Sequence, residues 1–140
     1  MRTDFYHLTR VPLEKVLPSI AERVLANGER LVIVAENEKL LMRIDTLLWS
    51  YKPESFLPHG REGDQPILLT AGTEASSAQN IALVDGLWRE AALNFSRVFY
   101  FFDSQSIDSA RSAWRGLSER DDVERHYWKQ DNEGKWVEGP

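Results

Sequence analysis

Five consecutive apolar residues at positions 31–35 constrain the fold more than any other stretch of the chain. The run Leu-Val-Ile-Val-Ala is rich in β-branched side chains and has turn residues on both sides, which is typical of a strand covered on both faces. The segments before and after it repeat their apolar residues at helical spacing. The run therefore predicts a central strand of a parallel sheet, with one helix before it and one after it.

Local signals define where these two helices begin and end. The first helix is predicted to follow Pro12 and to end at Asn27-Gly28, because glycine accepts the left-handed backbone that closes a helix. The second helix is predicted to begin at Asn37, a candidate N-cap, and to continue to Leu48. Both helices thus have a physical start or stop signal beside their apolar pattern.

Shorter patterns account for the rest of the chain. Further strands are predicted at positions 3–8, 66–70, 81–84 and 98–102, with a short helical segment at 87–95. Ser104 or Ser106 is expected to cap a last helix. Positions 123–137 predict a terminal β-hairpin or an extended pair of edge segments.

Strands alternating with helices predict an α/β fold. We expect a single domain over residues 1–140, with a Rossmann-like three-layer arrangement, a mostly parallel sheet and a C-terminal β-hairpin. The composition agrees, since 42% hydrophobic and 28% charged residues are typical of a globular domain.

Charge and cysteine content exclude several classes of function. The chain has no cysteine, so disulfides and thiolate sites are excluded. A net charge of -5 argues against broad binding to DNA or RNA, although a local basic patch is compatible with it. Residues 1–8 lack the apolar run of a signal peptide, and no run of about 18 apolar residues occurs. We expect a cytoplasmic protein without membrane contact.

The sequence contains no recognisable catalytic or cofactor motif. Neither GxGxxG nor GxxxxGK[ST] occurs, so the chain has no nucleotide-binding glycine loop. His7, His59 and His126 are far apart and form no metal-binding pair, and a GxSxG nucleophile elbow is absent. We expect no active site, no metal and no cofactor.

An aromatic-rich stretch at positions 47–60 is interrupted by Pro53 and Pro58. Each proline lacks a backbone donor and disfavours helix in the residue before it, so Trp49 and Phe56 are predicted on a loop. Such a loop either folds back as a plug on the core or presents an apolar patch to a partner. The residues of the stretch alone favour the plug.

Several segments, taken in their order and spacing, resemble the chi subunit family of bacterial DNA polymerase III. They are spread over the chain and comprise positions 5–8, 48–49, 54–60, 66–70, 127–131 and 134–136. The resemblance implies a non-catalytic accessory subunit of the polymerase III holoenzyme that links the clamp loader to single-stranded-DNA-binding protein. It implies no direct contact with nucleic acid.

The resemblance assigns a binding site for the acidic C-terminal tail of single-stranded-DNA-binding protein to the last predicted helix. Arg111 would pair with the terminal carboxylate, Trp114 would wall a slot for the terminal phenylalanine ring, and Arg115 would be a reserve cation. Ile107 and Asp108 give no cation one turn earlier, where another basic group is expected. Without the resemblance, Trp114 is better explained as core and Arg111 as a solvated helix edge.

A second surface, formed by Trp49, Phe56 and Pro58, would bind the psi subunit or another clamp-loader or helicase partner. This implication reverses the preference for a plug, and we expect an exposed apolar docking patch. Two alternatives stay open: a small Rossmann-like nucleotide-binding protein or hydrolase, and a repair-helicase adaptor that uses the same surfaces.

Overall fold

The computed structural model describes residues 1–51, 57–73 and 78–139. Its elements follow in chain order as β1 (Arg2–His7), α1 (Leu13–Ala26), β2 (Leu31–Val34), α2 (Glu38–Ser50), β3 (His59–Gly60), β4 (Ile67–Thr70), β5 (Asn80–Leu83), a 3₁₀ helix (Glu90–Asn94), β6 (Arg97–Phe102), α3 (Ile107–Leu117), β7 (Glu124–Gln130) and β8 (Trp136–Glu138). Among the described residues, no helix is both long enough and apolar enough to cross a bilayer.

The eight strands form one sheet in the order β3-β4-β2-β5-β6-β1-β7-β8. All neighbouring strands are parallel except β7 and β8, which form an antiparallel hairpin. The predicted α/β fold with a mostly parallel sheet and a C-terminal hairpin is therefore confirmed. β2 lies between β4 and β5 with all four of its residues buried, as its continuous apolar sequence predicts.

Helices cover both faces of the sheet, which gives the predicted three layers. On one face, α1 and α2 bury Leu17 and Ile44 against Ile33 of β2. On the other face, α3 and the 3₁₀ helix bury Ala110 and Ala92 in a second cluster. The predicted tail-binding residues lie on α3, and Trp49 of the second predicted surface lies on α2. These two helices pack on opposite faces of the sheet.

The helix caps agree with the sequence in two places and differ in one. The Asn37 side chain accepts hydrogen bonds from the first turn of α2, and Gly28 has the left-handed φ of +74° after α1. Ser106 occupies the N-cap position of α3, but its side chain makes no cap bond to the helix. Its hydroxyl instead accepts from the backbone N–H of Asp103, whose carboxylate accepts from Gln105 at 2.9 Å. Asp103 therefore organises the turn before α3.

The loop predicted for the aromatic stretch begins later than expected. α2 continues through Trp49, which lies in the last helical turn rather than on a loop. Pro53 restricts chiefly the residue directly before it, so it does not prevent a helix at position 49. Leu57 is only 3% exposed, whereas Trp49 is 60% exposed, so the described part of the stretch combines a core contact with a surface ring.

Candidate protein-binding surfaces

α3 carries the three residues predicted for tail binding. Arg111 and Arg115 are exposed one turn apart, and Trp114 is half-buried against the sheet. Residues three and four apart are neighbours on a helix surface, so the helix brings all three together. Helical geometry alone accounts for this proximity, whereas the contacts of each side chain depend on how α3 packs on the sheet.

Contacts inside the chain fix the Trp114 ring. It meets Phe5 of β1 and Tyr127 of β7 edge-on, at centroid distances of 5.3 and 5.5 Å. The guanidinium of Arg125 lies over the ring, 3.9 Å from its centroid, and donates to the Trp114 carbonyl oxygen at 2.6 Å. Arg125 was not identified from the sequence, because its place opposite Trp114 depends on how β7 pairs with β1. The ring is thus a rigid wall with a cation held on it.

Arg111 lies close enough to the end of β1 to influence two neighbouring groups. Burial lowers the pKa of His7, and the positive charge of Arg111 lowers it further. Burial raises the pKa of Tyr127, and Arg111 opposes that shift. The His7 ring in turn stacks on Phe102 with centroids 4.9 Å apart. The exposed guanidinium of Arg111 therefore lies near His7 and Tyr127, on the same helix as Trp114.

Trp49, at the other predicted surface, has a rigid base. Its ring meets the His59 ring at a centroid distance of 5.1 Å and an angle of 68°. The His59 side chain is fully buried, with Nδ1 2.6 Å from the Leu57 carbonyl oxygen and Nε2 2.7 Å from Asp45 Oδ1, the latter outside hydrogen-bond geometry. These contacts tie α2 to β3. Pro58, which precedes His59, is half-buried.

Phe56, the third residue predicted for this surface, lies outside the described residues. Met42, which was not identified from the sequence, is 60% exposed and lies seven residues before Trp49 on the same side of α2. The buried stripe of α2 comprises Leu41, Ile44 and Leu48. Met42 is an apolar residue that lies outside this stripe, and this pattern could have identified it as exposed. Met42 and Trp49 together present a larger apolar area than Trp49 alone.

A nucleotide-binding protein of this fold class would use the carboxyl ends of the strands. A cleft of about 700 Å³ lies there, between the β1–α1 turn and the ends of β5 and β6. The backbone N–H groups of Arg10 and Val11 donate to the Gln130 side chain at 3.0 and 3.1 Å, and that of Glu36 donates to Asp85 at 2.9 Å. Because side chains of the chain itself already occupy these donors, they are not available to cradle a phosphate.

Fold and surfaces together define a Rossmann-like α/β protein whose helices α2 and α3 carry exposed apolar, aromatic and basic side chains. Comparison with known families narrows this class, because the family described as DNA polymerase III chi subunit, HolC, matches residues 1–123. The chain belongs to the DNA polymerase III chi subunit family.

Two relatives are similar over shorter segments. DNA polymerase III subunit chi of Escherichia coli (strain K12) is 37% identical over 54 residues, which cover 39% of this chain and 37% of that protein. DNA polymerase III subunit chi of Haemophilus influenzae (strain ATCC 51907 / DSM 11121 / KW20 / Rd) is 30% identical over 64 residues, 44% of each chain. The chain thus spans less than half of the length of either relative in these matches.

Proposed function

We propose that the protein is a non-catalytic accessory subunit of DNA polymerase III that works in the cytoplasm and links the clamp loader to single-stranded-DNA-binding protein. Membership of the chi family supports a role in the polymerase complex. The observation that supports binding of the tail is the exposed Arg111, which lies three residues before Trp114 on α3 and near His7 and Tyr127.

The chemistry of an acidic tail that ends in phenylalanine fits α3. A guanidinium can form two parallel hydrogen bonds with a carboxylate, and no carboxylate of the described residues lies within 4.0 Å of the Arg111 guanidinium. Trp114 is held as a rigid wall, which limits the entropy lost when a second ring packs beside it. Arg115 adds a second exposed cation one turn further on for the aspartates of the tail.

The first prediction concerns Arg111. We expect Arg111→Ala to weaken binding of the tail peptide at least about tenfold, because the terminal carboxylate loses its charge-assisted partner. Isothermal titration calorimetry with the purified full chain measures this. Arg43→Ala on α2, which removes the same charge from an exposed helix position, should leave the affinity unchanged. Full affinity in the Arg111 variant would contradict the assignment.

We propose further that Trp49, Phe56 and Pro58 bind a second protein: the psi subunit, another clamp-loader component or a repair helicase. The exposure of Trp49 and Met42 supports this surface, because large aromatic side chains dominate the energy of many interfaces. The buried His59 ring, which lies against Asp45, packs on the Trp49 ring and limits the side-chain entropy that Trp49 loses on binding.

The second prediction concerns this apolar surface. Trp49→Ala should weaken binding to the true partner by a factor of about 30 or more, which is typical of a hot spot, and Met42→Ala should weaken it less. Biolayer interferometry with purified psi and helicase candidates measures both effects. Leu87→Ala serves as the matched control, since Leu87 is another exposed apolar side chain, on the loop after β5. Equal losses in all three variants would speak against a specific surface.

Isothermal titration calorimetry also tests the alternative of a nucleotide-binding protein or hydrolase. Titrations with ATP, NAD and the tail peptide should give heat with the peptide alone, because the backbone N–H groups of Arg10, Val11 and Glu36 at the strand ends already have partners. Saturable binding of ATP or NAD would favour the alternative.

A further inference from the structure

A basic groove with aromatic walls lies on the face of the sheet opposite α3. Its volume is about 370 Å³. α1 forms one wall. The floor and the other wall are formed by side chains of β6, β1, β7 and β8 on the face of the sheet that carries α1. We call it the α1 groove, and its defining side chains are Tyr6, Lys15, Arg23, Arg97, Trp128 and Trp136.

The groove exists because the helices stop short of one end of the sheet. α2 packs beside α1 and contacts β3 and β4, at the far end of the strand order. Within the described ranges no helix covers β7 and β8 on this face, so the flank of α1 beside them stays open. Lys15 and Arg23 lie eight residues apart on that flank, about 12 Å along the helix axis.

The groove carries a positive charge although the whole chain carries -5. Arg2 and Arg97 share a single carboxylate, that of Asp4, which is buried beneath them at 3.1 and 3.0 Å. No carboxylate of the described residues lies within 4.0 Å of Lys15 or Arg23. Glu124 stands at the rim, 3.9 Å from Arg2. Four cations thus face one buried and one peripheral carboxylate.

The rings of the groove are held in place. Tyr6 stacks on Phe101 at 5.1 Å and meets Trp136 edge-on at 5.5 Å. The indole N–H of Trp128 donates to Asp4 Oδ1 at 3.0 Å, which fixes the plane of that ring. Rigid aromatic surfaces beside cations are the combination that single-stranded nucleic acids bind, with bases on the rings and phosphates on the cations.

We propose that the α1 groove binds a single-stranded nucleic acid, with phosphates at Lys15, Arg23 and Arg97 and a base against Trp136. An acidic peptide fits less well, because an extended peptide needs partners for its own backbone amides. β1 at the floor is paired on both sides, with β6 and β7, so it offers no free strand edge. A nucleic-acid strand has no backbone N–H groups to satisfy.

A second cleft adjoins the α1 groove. It has a volume of about 490 Å³, shares Arg2, Arg23 and Arg97 with the α1 groove, and extends to Asn27 and Asn80. The two clefts therefore adjoin, and together they form a longer binding path for a polymer than the α1 groove alone. Glu29 borders this second cleft, where its carboxylate accepts a hydrogen bond from the Asn80 side chain at 3.0 Å.

Fluorescence anisotropy of a labelled oligothymidine, titrated with the full chain over a range of salt concentrations, tests the proposal. In Lys15→Gln/Arg23→Gln, affinity at low salt should fall at least about tenfold. The slope of log affinity against log salt should become shallower by about 1.4, since each phosphate contact on a single strand contributes about 0.7. Trp136→Ala should weaken binding without changing this slope, because a ring contact releases no counterion.

The matched control is Lys39→Gln/Arg43→Gln, which removes two cations from α2 and should leave affinity and slope unchanged. Circular dichroism confirms folding. If the α1 double variant fails to fold, Arg23→Gln alone should reduce the slope by about 0.7. Absence of binding by the unmodified chain at low salt, equal binding of an aspartate-rich peptide, or an equal loss in the α2 control would each overturn the proposal. None of these readouts depends on a partner protein.

Discussion

Asp4 shows how one buried carboxylate can organise a surface. It is fully buried, and Arg2, Arg97 and Trp128 all donate to it. Burial raises the pKa of Asp4, but the hydrogen bonds from Arg2 and Trp128 and the charges of Arg97 and Arg2 outweigh it, so the pKa is lowered. The carboxylate therefore stays ionised and holds both arginines at the α1 groove.

The third prediction follows from these contacts. Asp4→Asn should lower the free energy of unfolding by about 2 kcal/mol, because two guanidinium groups and an indole N–H lose their charged acceptor. The loss should stay below the roughly 3–5 kcal/mol of a fully buried ion pair, since Arg2 and Arg97 are 40% and 37% exposed and water can solvate them. Urea denaturation measures it. Asp122→Asn, an exposed carboxylate paired with Arg120, should cause no measurable change.

Among the secondary-structure elements, the terminal hairpin has a pH-dependent contact. His126 of β7 contacts Glu124 on its own strand and Glu138 on β8 through its two ring nitrogens. The hydrogen bond with Glu124, and then that with Glu138, raise the pKa of His126. A group with a raised pKa stabilises the fold fully below its unfolded pKa of 6.5, and this stabilisation is lost as pH rises through the folded pKa.

The fourth prediction is the consequence for stability. The difference in melting temperature between the unmodified chain and His126→Asn should be larger at about pH 5.5 than at about pH 8.5, because only the imidazolium binds both carboxylates. Differential scanning calorimetry at the two pH values measures it. Glu138→Gln should reduce the same difference, since it removes one of the two carboxylates. A difference independent of pH would show that His126 acts by packing alone.

At the scale of the whole molecule, the sheet separates the two proposed protein-binding surfaces. α3 packs on one face, and α2, which carries the exposed Trp49, packs on the other. Sites that share no contacts usually contribute independently to within about 0.5 kcal/mol. We therefore expect the two proposed surfaces to bind their partners without competition.

The fifth prediction tests this independence. The affinity for the tail peptide should be the same within about twofold whether or not the second partner is bound. Titration of the isolated chain and of the purified binary complex gives the comparison. A larger change would indicate that the two surfaces are coupled through the sheet.

Short-range sequence signals predicted most of the elements. The apolar run of β2, the Asn37 cap and the Gly28 stop were all readable, because each depends on a few adjacent residues. The segment predicted at 87–95 is shorter in the structure, a 3₁₀ helix over Glu90–Asn94. The proline pattern predicts a loop at Trp49, whereas the helix extends past it, because a proline signals that a helix ends nearby but does not fix the residue at which it ends.

The candidate sites were only partly predictable. The sequence predicts a joint site at Arg111, Trp114 and Arg115, because their helical spacing and the family resemblance can both be recognised from the sequence alone. Contacts such as Arg125 over Trp114, or His59 beneath Trp49, join residues that are distant in the chain. No local pattern encodes such pairs.

The sequence by itself determined the α/β class, the central place of β2, the terminal hairpin and the lack of a glycine loop, because periodicity and turn chemistry are local properties. The tertiary structure alone decided that β1 lies between β6 and β7, which places Arg2, Arg97 and Trp128 around Asp4. It also decided that no described helix covers β7 and β8 beside α1. Strand order depends on burial summed over the whole chain, and the α1 groove is a consequence of that order.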